Sequence, residues 1–178
     1  MDYTETLVRH LNGYKGLIIN ATLDRVCLQN GEETLREVVD HPGGVTVIPI
    51  DDEGYVYCVR QFRYPVGEHL LEVPAGKLEK GEAPMECAAR ELSEETGIAA
   101  AEYTFLGKVY PSPGFCREEL YIYMARKLDF GTPHPDHNEF LDVEKVHLDD
   151  LYRMVMENEM TDAKTVIAVL KAMNMLGA

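Results

Sequence analysis

The stretch Gly76–Ile98, GKLEKGEAPMECAARELSEETGI, constrains this chain more tightly than any other. Pro84 suits the first turn of a helix, where a missing N–H is no loss. Gly97 suits its end, because glycine accepts the left-handed conformation of a C-terminal cap. Between them Met85, Ala88, Ala89, Leu92 and Thr96 recur at helical spacing and predict one buried stripe. On another face Glu91, Glu94 and Glu95 stand at i, i+3 and i+4, so their carboxylates cluster. Like charges this close repel unless something cationic sits among them. Hard divalent ions such as Mg2+ take oxygen ligands and often share them with substrate phosphates. An acidic run of this kind is more often a plain solvated helix face, so the residues around it must decide.

Composition narrows the classes. The 178 residues are 46% hydrophobic, enough for one domain with a full core, with room for a short N-terminal element. No apolar run is long enough to predict a membrane span, and MDYTETLVRHLNGYKG lacks the apolar core of a signal peptide. Cys27, Cys58, Cys87 and Cys116 are widely spaced with no C-x-x-C pair, which reads as the reduced thiols of a cytoplasmic protein. A formal charge of −14 argues against duplex nucleic acid as a partner, since that affinity comes largely from Lys and Arg on phosphates. If the substrate is itself a phosphate anion, bound metal ions and a few local arginines must offset the acidity.

Along the chain, residues 1–16 read as a helix or irregular arm with a small apolar patch at Leu7, Val8 and Leu11. Leu17–Leu28 and Glu33–Asp40 flank Asn30-Gly31 and predict a β-hairpin. An isolated hairpin is marginal in water, so this one must pack on the main body or on a second chain. His41-Pro42-Gly43-Gly44 marks the boundary, giving an N-terminal β element over 1–44 and a catalytic domain over 45–178. Strands are expected at Val45–Ile50, Tyr55–Phe62, His69–Val73, Tyr103–Val109, Glu119–Ala125 and Phe140–His147. Polar loops fall at Tyr110–Arg117 and Gly131–Asn138. Asp149–Glu157 and Thr161–Met175 have helical periodicity, the second capped by Thr161 or Asp162. The class is α+β.

Gly76 is followed after five residues by Glu82, and after seven more by Arg90-Glu91, Leu92, Ser93, Glu94-Glu95, Thr96, Gly97 and Ile98. This succession resembles, without a substitution, the motif of the Nudix hydrolases, G-x5-E-x7-R-E-U-x-E-E-x-G-U with U aliphatic. The resemblance implies an αβα sandwich around a mixed sheet, here preceded by the N-terminal hairpin. It also implies one or more Mg2+ ions, with Mn2+ as an alternative. Carried over by position, Glu91 and Glu95 are metal ligands, with Glu94 next. Glu82 is a ligand or a brace behind the ligands, and the Ala75 carbonyl is a further ligand. Arg90 is an electrostatic partner that positions the carboxylates; a purely structural salt bridge is its other reading. Clustered metals neutralise pyrophosphate oxygens and lower the pKa of attacking water.

Beyond that box, Tyr110-Pro111-Ser112-Pro113-Gly114-Phe115 resembles the S-P-G-F loop of the ADP-ribose pyrophosphatase branch. Arg36–Gly43, Val59–Arg63, Glu72–Gly76, Asn138–Phe140 and Asp162–Thr165 extend the likeness over roughly residues 16 to 172. It implies hydrolysis of the pyrophosphate of ADP-ribose to AMP and ribose 5-phosphate. On that pattern Arg36 and Arg63 hold the diphosphate, Glu118 the terminal ribose, and Pro113 lines the substrate loop. The catalytic base comes from the loop Pro135–Glu139, with Glu139 first and His137 second. Arg90 and Glu94 complete the catalytic set. The branch often stacks adenine on an N-terminal aromatic, but Lys15-Gly16-Leu17-Ile18 stands there, leaving Tyr14 or aliphatic side chains. The branch also implies a homodimer with exchanged N-terminal strands. The other readings are hydrolysis of a different nucleoside diphosphate sugar, and a non-catalytic domain that senses ADP-ribose. Sensors commonly lose box glutamates, and this chain keeps them all.

Overall fold

The computed structural model describes residues 3–177; residues 1, 2 and 178, which fall within the two expected domains, lie outside the described residues. The chain divides into two compact units. One takes the N-terminal residues to Gly43 together with Tyr110–Glu119; the other takes Gly44–Val109 and the chain from Leu120 onward.

The first unit is a three-stranded antiparallel sheet of β1 (Thr6–Lys15), β2 (Asn20–Cys27) and β3 (Glu33–Asp40), in that order. The hairpin expected over 17–40 is β2–β3, closed at Asn30-Gly31 with Gly31 at φ +82. The expected helix or arm over 1–16 is corrected at Thr6–Lys15, which is a strand. Every residue of β1 is exposed, so the alternation that marks a half-buried strand is missing from its sequence. The loop 110–119 docks on β3: Val39 N–H donates to the Phe115 carbonyl at 2.7 Å, and Arg117 N–H to the Val39 carbonyl at 2.9 Å.

The second unit holds two sheets. β4 (Gly44–Pro49), β7 (Ala75–Lys77), β8 (Ile98–Val109) and β9 (Leu120–Phe130) form one, in the order β7-β4-β9-β8, with β4 and β9 parallel and the other pairs antiparallel. β5 (Tyr55–Arg63), β6 (Glu68–Glu72) and β10 (Leu141–His147) form the other, in the order β10-β5-β6. The expected strands are all present, although β8 starts earlier and β9 runs further than expected. Three helices follow the expected helical stretches: α1 (Pro84–Thr96), α2 (Leu148–Met156) and α3 (Ala163–Leu176).

β4 explains the layering. Every one of its residues is buried, because both faces of its sheet are covered. Val45 and Val47 join Cys87, Ala88, Leu92 and Ala125 on the α1 side. Ile48 joins Ile122, Met124, Leu151, Ala168 and Val169 in the other core. Period-two alternation therefore sends one strand's side chains into two cores, with α1 in one and α2 and α3 in the other. Leu92 is fully buried, so its truncation to Ala costs about 2–5 kcal/mol. The α1 stripe needs correcting at two positions: Met85 is 39% exposed and Ala89 only half-buried, while Cys87 is fully buried.

Candidate active site

The site is built where β6 runs through Val73-Pro74 into β7 and then, by a short loop, into α1. Backbone pairing fixes this path: Val47 N–H donates to the Pro74 carbonyl at 2.8 Å, and Thr46 Oγ1 reaches the same oxygen at 3.1 Å. The loop closes on itself through Glu79 N–H, which donates to Glu82 Oε2 at 2.9 Å. α1 then starts at Pro84, as its missing N–H allows. It ends at Gly97 with φ 71, the left-handed cap.

Gly97 has a second role that sequence reasoning missed. A Cβ there would lie 2.6 Å from the Pro133 nitrogen, because residues 131–133 pass directly over it. Gly131 N–H donates to the Gly97 carbonyl at 2.7 Å, and His134 N–H to the Glu94 carbonyl at 2.9 Å. The loop that carries Glu139 is thus tied to the end of the helix that carries the glutamates.

Arg90 is the hub. Its Nε and Nη2 fork onto Glu82 at 2.8 and 3.0 Å. Its Nη1 donates to Glu91 Oε1 and Glu94 Oε2, each at 2.9 Å, and Nη2 also reaches the Lys77 carbonyl at 3.2 Å. One guanidinium therefore serves three carboxylates and ties β7 and the loop to the helix. Hydrogen bonds from Arg90 push the Glu82 carboxyl down to about 2, and those carboxylates push Arg90 up in turn. With both oxygens on Arg90 and one also on Glu79 N–H, Glu82 has the surroundings of a brace.

Glu91 and Glu95 are different. Both are buried, at 7% and 3% exposure. Burial pushes the Glu91 carboxyl up despite the neighbouring Arg90. Burial pushes Glu95 further, to about 8, against one hydrogen bond of 3.0 Å from Ala75 N–H to its Oε2. Glu139 adds negative charge that raises both. Gly76 makes the close approach possible, since a Cβ built on it would fall 1.8 Å from Glu91 Oε1. Any side chain at position 76 would force the Glu91 carboxylate out of its present place.

Among the described residues no group of three or more His, Cys, Asp or Glu side chains is arranged to hold a metal ion by itself. A hard divalent cation needs only one or two protein carboxylates when water and substrate phosphates supply its other ligands. Two buried glutamates raised by burial and by a third carboxylate, with a glycine cleared beside one of them, form an oxygen donor set that fits such an ion.

The second unit therefore brings together Ala75, Glu82, Arg90, Glu91, Glu94, Glu95 and Glu139. His137 lies in the same loop as Glu139, its Nδ1 3.2 Å from Asn138 Oδ1. Arg63 sits at the end of β5, forked onto Glu72 by two hydrogen bonds of 2.7 Å. Arg36, Pro113 and Glu118 belong to the first unit. There Arg36 forks onto Glu5 at 2.9 and 2.5 Å, and Glu118 Oε1 lies 3.7 Å from His41 Nδ1. Tyr14 lines a cleft of about 440 Å³ in that unit with Thr22, Glu37, Val39 and Phe115. Glu72 was a signal available in the sequence. A lone carboxylate in the apolar strand HLLEV must find partners once buried, but nothing local says which.

A model of the NUDIX domain matches residues 40–169 of this chain. The chain is 41% identical over 158 residues to the ADP-ribose pyrophosphatase of Bacillus subtilis (strain 168), covering 88% of this chain and 85% of that one. It is 38% identical over 169 residues to the methanol dehydrogenase activator of Bacillus methanolicus, covering 94% and 91%. A crystal structure of an ADP compounds hydrolase has the same fold, with a TM-score of 0.85 over 97% of this chain and 94% of that one at 21% identity. With the family model spanning most of the chain and the box glutamates gathered on α1, the chain belongs to the Nudix family.

Proposed function

We propose that this enzyme hydrolyses the pyrophosphate bond of ADP-ribose to AMP and ribose 5-phosphate, with Mg2+ as its ion. The observation that carries the reading is the buried pair Glu91 and Glu95, raised by burial and facing the charge of Glu139. Similarity over most of the chain to an ADP-ribose pyrophosphatase supports the substrate.

Glu91, Glu95 and the Ala75 carbonyl would hold the ion, with Glu94 beside them. When bound, the ion neutralises pyrophosphate oxygens and makes phosphorus more electrophilic. Arg90 keeps the carboxylates aligned through its five hydrogen bonds to Glu82, Glu91, Glu94 and Lys77. Arg63 and Arg36 would hold the diphosphate, Glu118 would bind the terminal ribose, and Pro113 would line the substrate loop. Glu139 accepts the proton of the attacking water as the new P–O bond forms and the bridging P–O bond breaks. Attack at either phosphorus gives the same two products. Tethering of the loop to Gly97 and Glu94 keeps Glu139 near the pair it acts with.

We place the enzyme in the cytoplasm as a homodimer with exchanged N-terminal strands. Four free cysteines support the first. Exposed Leu7, Val8, Leu11, Tyr14, Leu17 and Ile18 support the second, because monomers rarely leave such a patch to water. Mixing Arg36→Ala with Glu91→Gln protein should regain one complete site per heterodimer; a monomer in light scattering contradicts the exchange.

A substrate panel with product identification tests the function. ADP-ribose giving AMP and ribose 5-phosphate, at higher kcat/KM than any other nucleoside diphosphate sugar, is the expected result. A higher value for another sugar nucleotide overturns the substrate, and no hydrolysis of any overturns the enzyme.

A further inference from the structure

We propose that Lys164 and Glu72 are positioning residues that present Arg63 to the substrate's diphosphate. The proposal rests on the grip of Arg63 proposed above and adds what sets it. Glu72 ends β6 with its side chain 1% exposed, a charged group with almost no access to water. Arg63 gives it two parallel hydrogen bonds, Nε to Oε1 and Nη2 to Oε2, each at 2.7 Å. Such a fork fixes the plane of a guanidinium as well as its place. Nη1 takes no part in this fork, and among the described residues it has no hydrogen-bond partner.

Arg63 is not the only cation on Glu72. Lys164 Nζ also donates to Glu72 Oε2, and to Asp162 Oδ1 at 2.8 Å. Asp162 is in turn fixed as the N-cap of α3, accepting from Thr165 N–H at 3.0 Å and from Thr165 Oγ1 at 2.6 Å. Thr165 Oγ1 accepts from Val73 N–H at 2.9 Å. The start of α3 thus clamps both the side chain of Glu72 and the backbone just after it. Two residues further on, Ala75 N–H holds Glu95.

The charges balance, with Arg63 and Lys164 against Glu72 and Asp162. Burial pushes the Glu72 carboxyl up, but Arg63 and Lys164 outweigh it and keep it ionised. The charge of Glu95 is also felt at Arg63. A diphosphate competing for Arg63 would strip Glu72 of its counter-ion if Arg63 were the only one. Lys164 removes that conflict: it also donates to Glu72 Oε2 and keeps the carboxylate neutralised, so Arg63 can share its charge with a phosphate without leaving the fork. Asp162-Ala163-Lys164-Thr165, far from the box in sequence, thereby acquires a task at the site.

Steady-state kinetics on wild type, Arg63→Ala, Lys164→Met and the double variant test this, with melting curves to confirm folding. Lys164→Met should raise KM for ADP-ribose about tenfold, the scale of one hydrogen bond to a charged group, and leave kcat within about twofold. Arg63→Ala should raise KM at least as much, and the double variant no further, because Lys164 acts through Arg63. Lys164→Arg, which keeps the charge, should recover most of the loss. If Lys164→Met does not fold, Lys164→Gln carries the same test with one donor retained. A raised KM in Arg63→Ala with an unchanged KM in the Lys164 variants overturns the positioning role alone. Additive losses in the double variant, or a fall in kcat with KM unchanged, do the same. A wild-type KM in Arg63→Ala overturns the grip itself, and the positioning role with it.

Discussion

Glu72 and Glu95 are hidden from water to nearly the same degree, at 0% and 3% exposure, and their carboxyls are pushed in opposite directions. Both feel the cost of burial, which disfavours the charged form. At Glu72 the chain supplies two cations of its own, and the carboxyl falls below its ordinary range. At Glu95 it supplies one backbone N–H and only the charge of Arg63, which is itself forked onto Glu72, against burial and the charges of Glu91 and Glu139, and the carboxyl rises to about 8. Arg90 cannot correct this, being already divided among Glu82, Glu91 and Glu94. A buried carboxylate with its counter-ions built in is part of the frame. One without them is suited to a cation from solution. The difference separates framework from site within a single unit, using charge alone.

Substitution should break the comparison most visibly in turnover. Glu91→Gln and Glu95→Gln each keep the side-chain volume but remove a charge, and each should lower kcat by about a thousandfold or more, about 4 kcal/mol in the barrier. Neither should lose stability, which melting curves will report. A variant that keeps most of its turnover at limiting Mg2+ would mean that its glutamate is not a ligand.

Glu72→Gln should do the reverse. It leaves Arg63 and Lys164 facing a neutral amide, and breaking a buried pair in this way costs about 3–5 kcal/mol of stability. The pH dependence follows from the sign of the shift. Folded Glu72 lies below its ordinary value of 4.5, so its contribution is present above that value and is lost as pH falls through the folded value. The stability gap between wild type and Glu72→Gln, measured by denaturant unfolding, should therefore narrow as the solution is acidified below 4.5. A gap that widens there contradicts the assignment.

Glu139→Gln should have the smallest effect on binding and an intermediate one on rate. Loss of a general base costs about a hundredfold or more in kcat, while Mg2+ affinity should change little. Parallel losses of both would make Glu139 a ligand.

What the sequence could reveal follows the same division. The glutamates of α1, Pro84 and Gly97 were legible because their spacing and local chemistry lie within a few helical turns. The strand β1 was not. With all ten residues exposed it has no buried face, and Leu7, Val8 and Leu11 leave no alternation to read. β7, three residues long, is held by pairing with β4 and carries no pattern of its own. Met85 was misplaced because helical spacing gives a face but not the width of what covers it. The Lys164–Glu72 pair joins residues 92 positions apart, and no local rule reaches that far. The passage of residues 131–133 over Gly97 is similarly long-range, although the glycine itself was anticipated for its backbone conformation.

Calorimetric titration of Mg2+ into wild type, Glu95→Gln and Glu72→Gln, without substrate and below each variant's melting transition, tests the central claim most directly. Wild type should bind with release of protons, since a carboxyl raised to about 8 must ionise to become a ligand. Glu95→Gln should lose most of that affinity and that proton release, and Glu72→Gln should bind as wild type does. Equal binding by wild type and Glu95→Gln, or a loss in Glu72→Gln as large as in Glu95→Gln, would contradict the account.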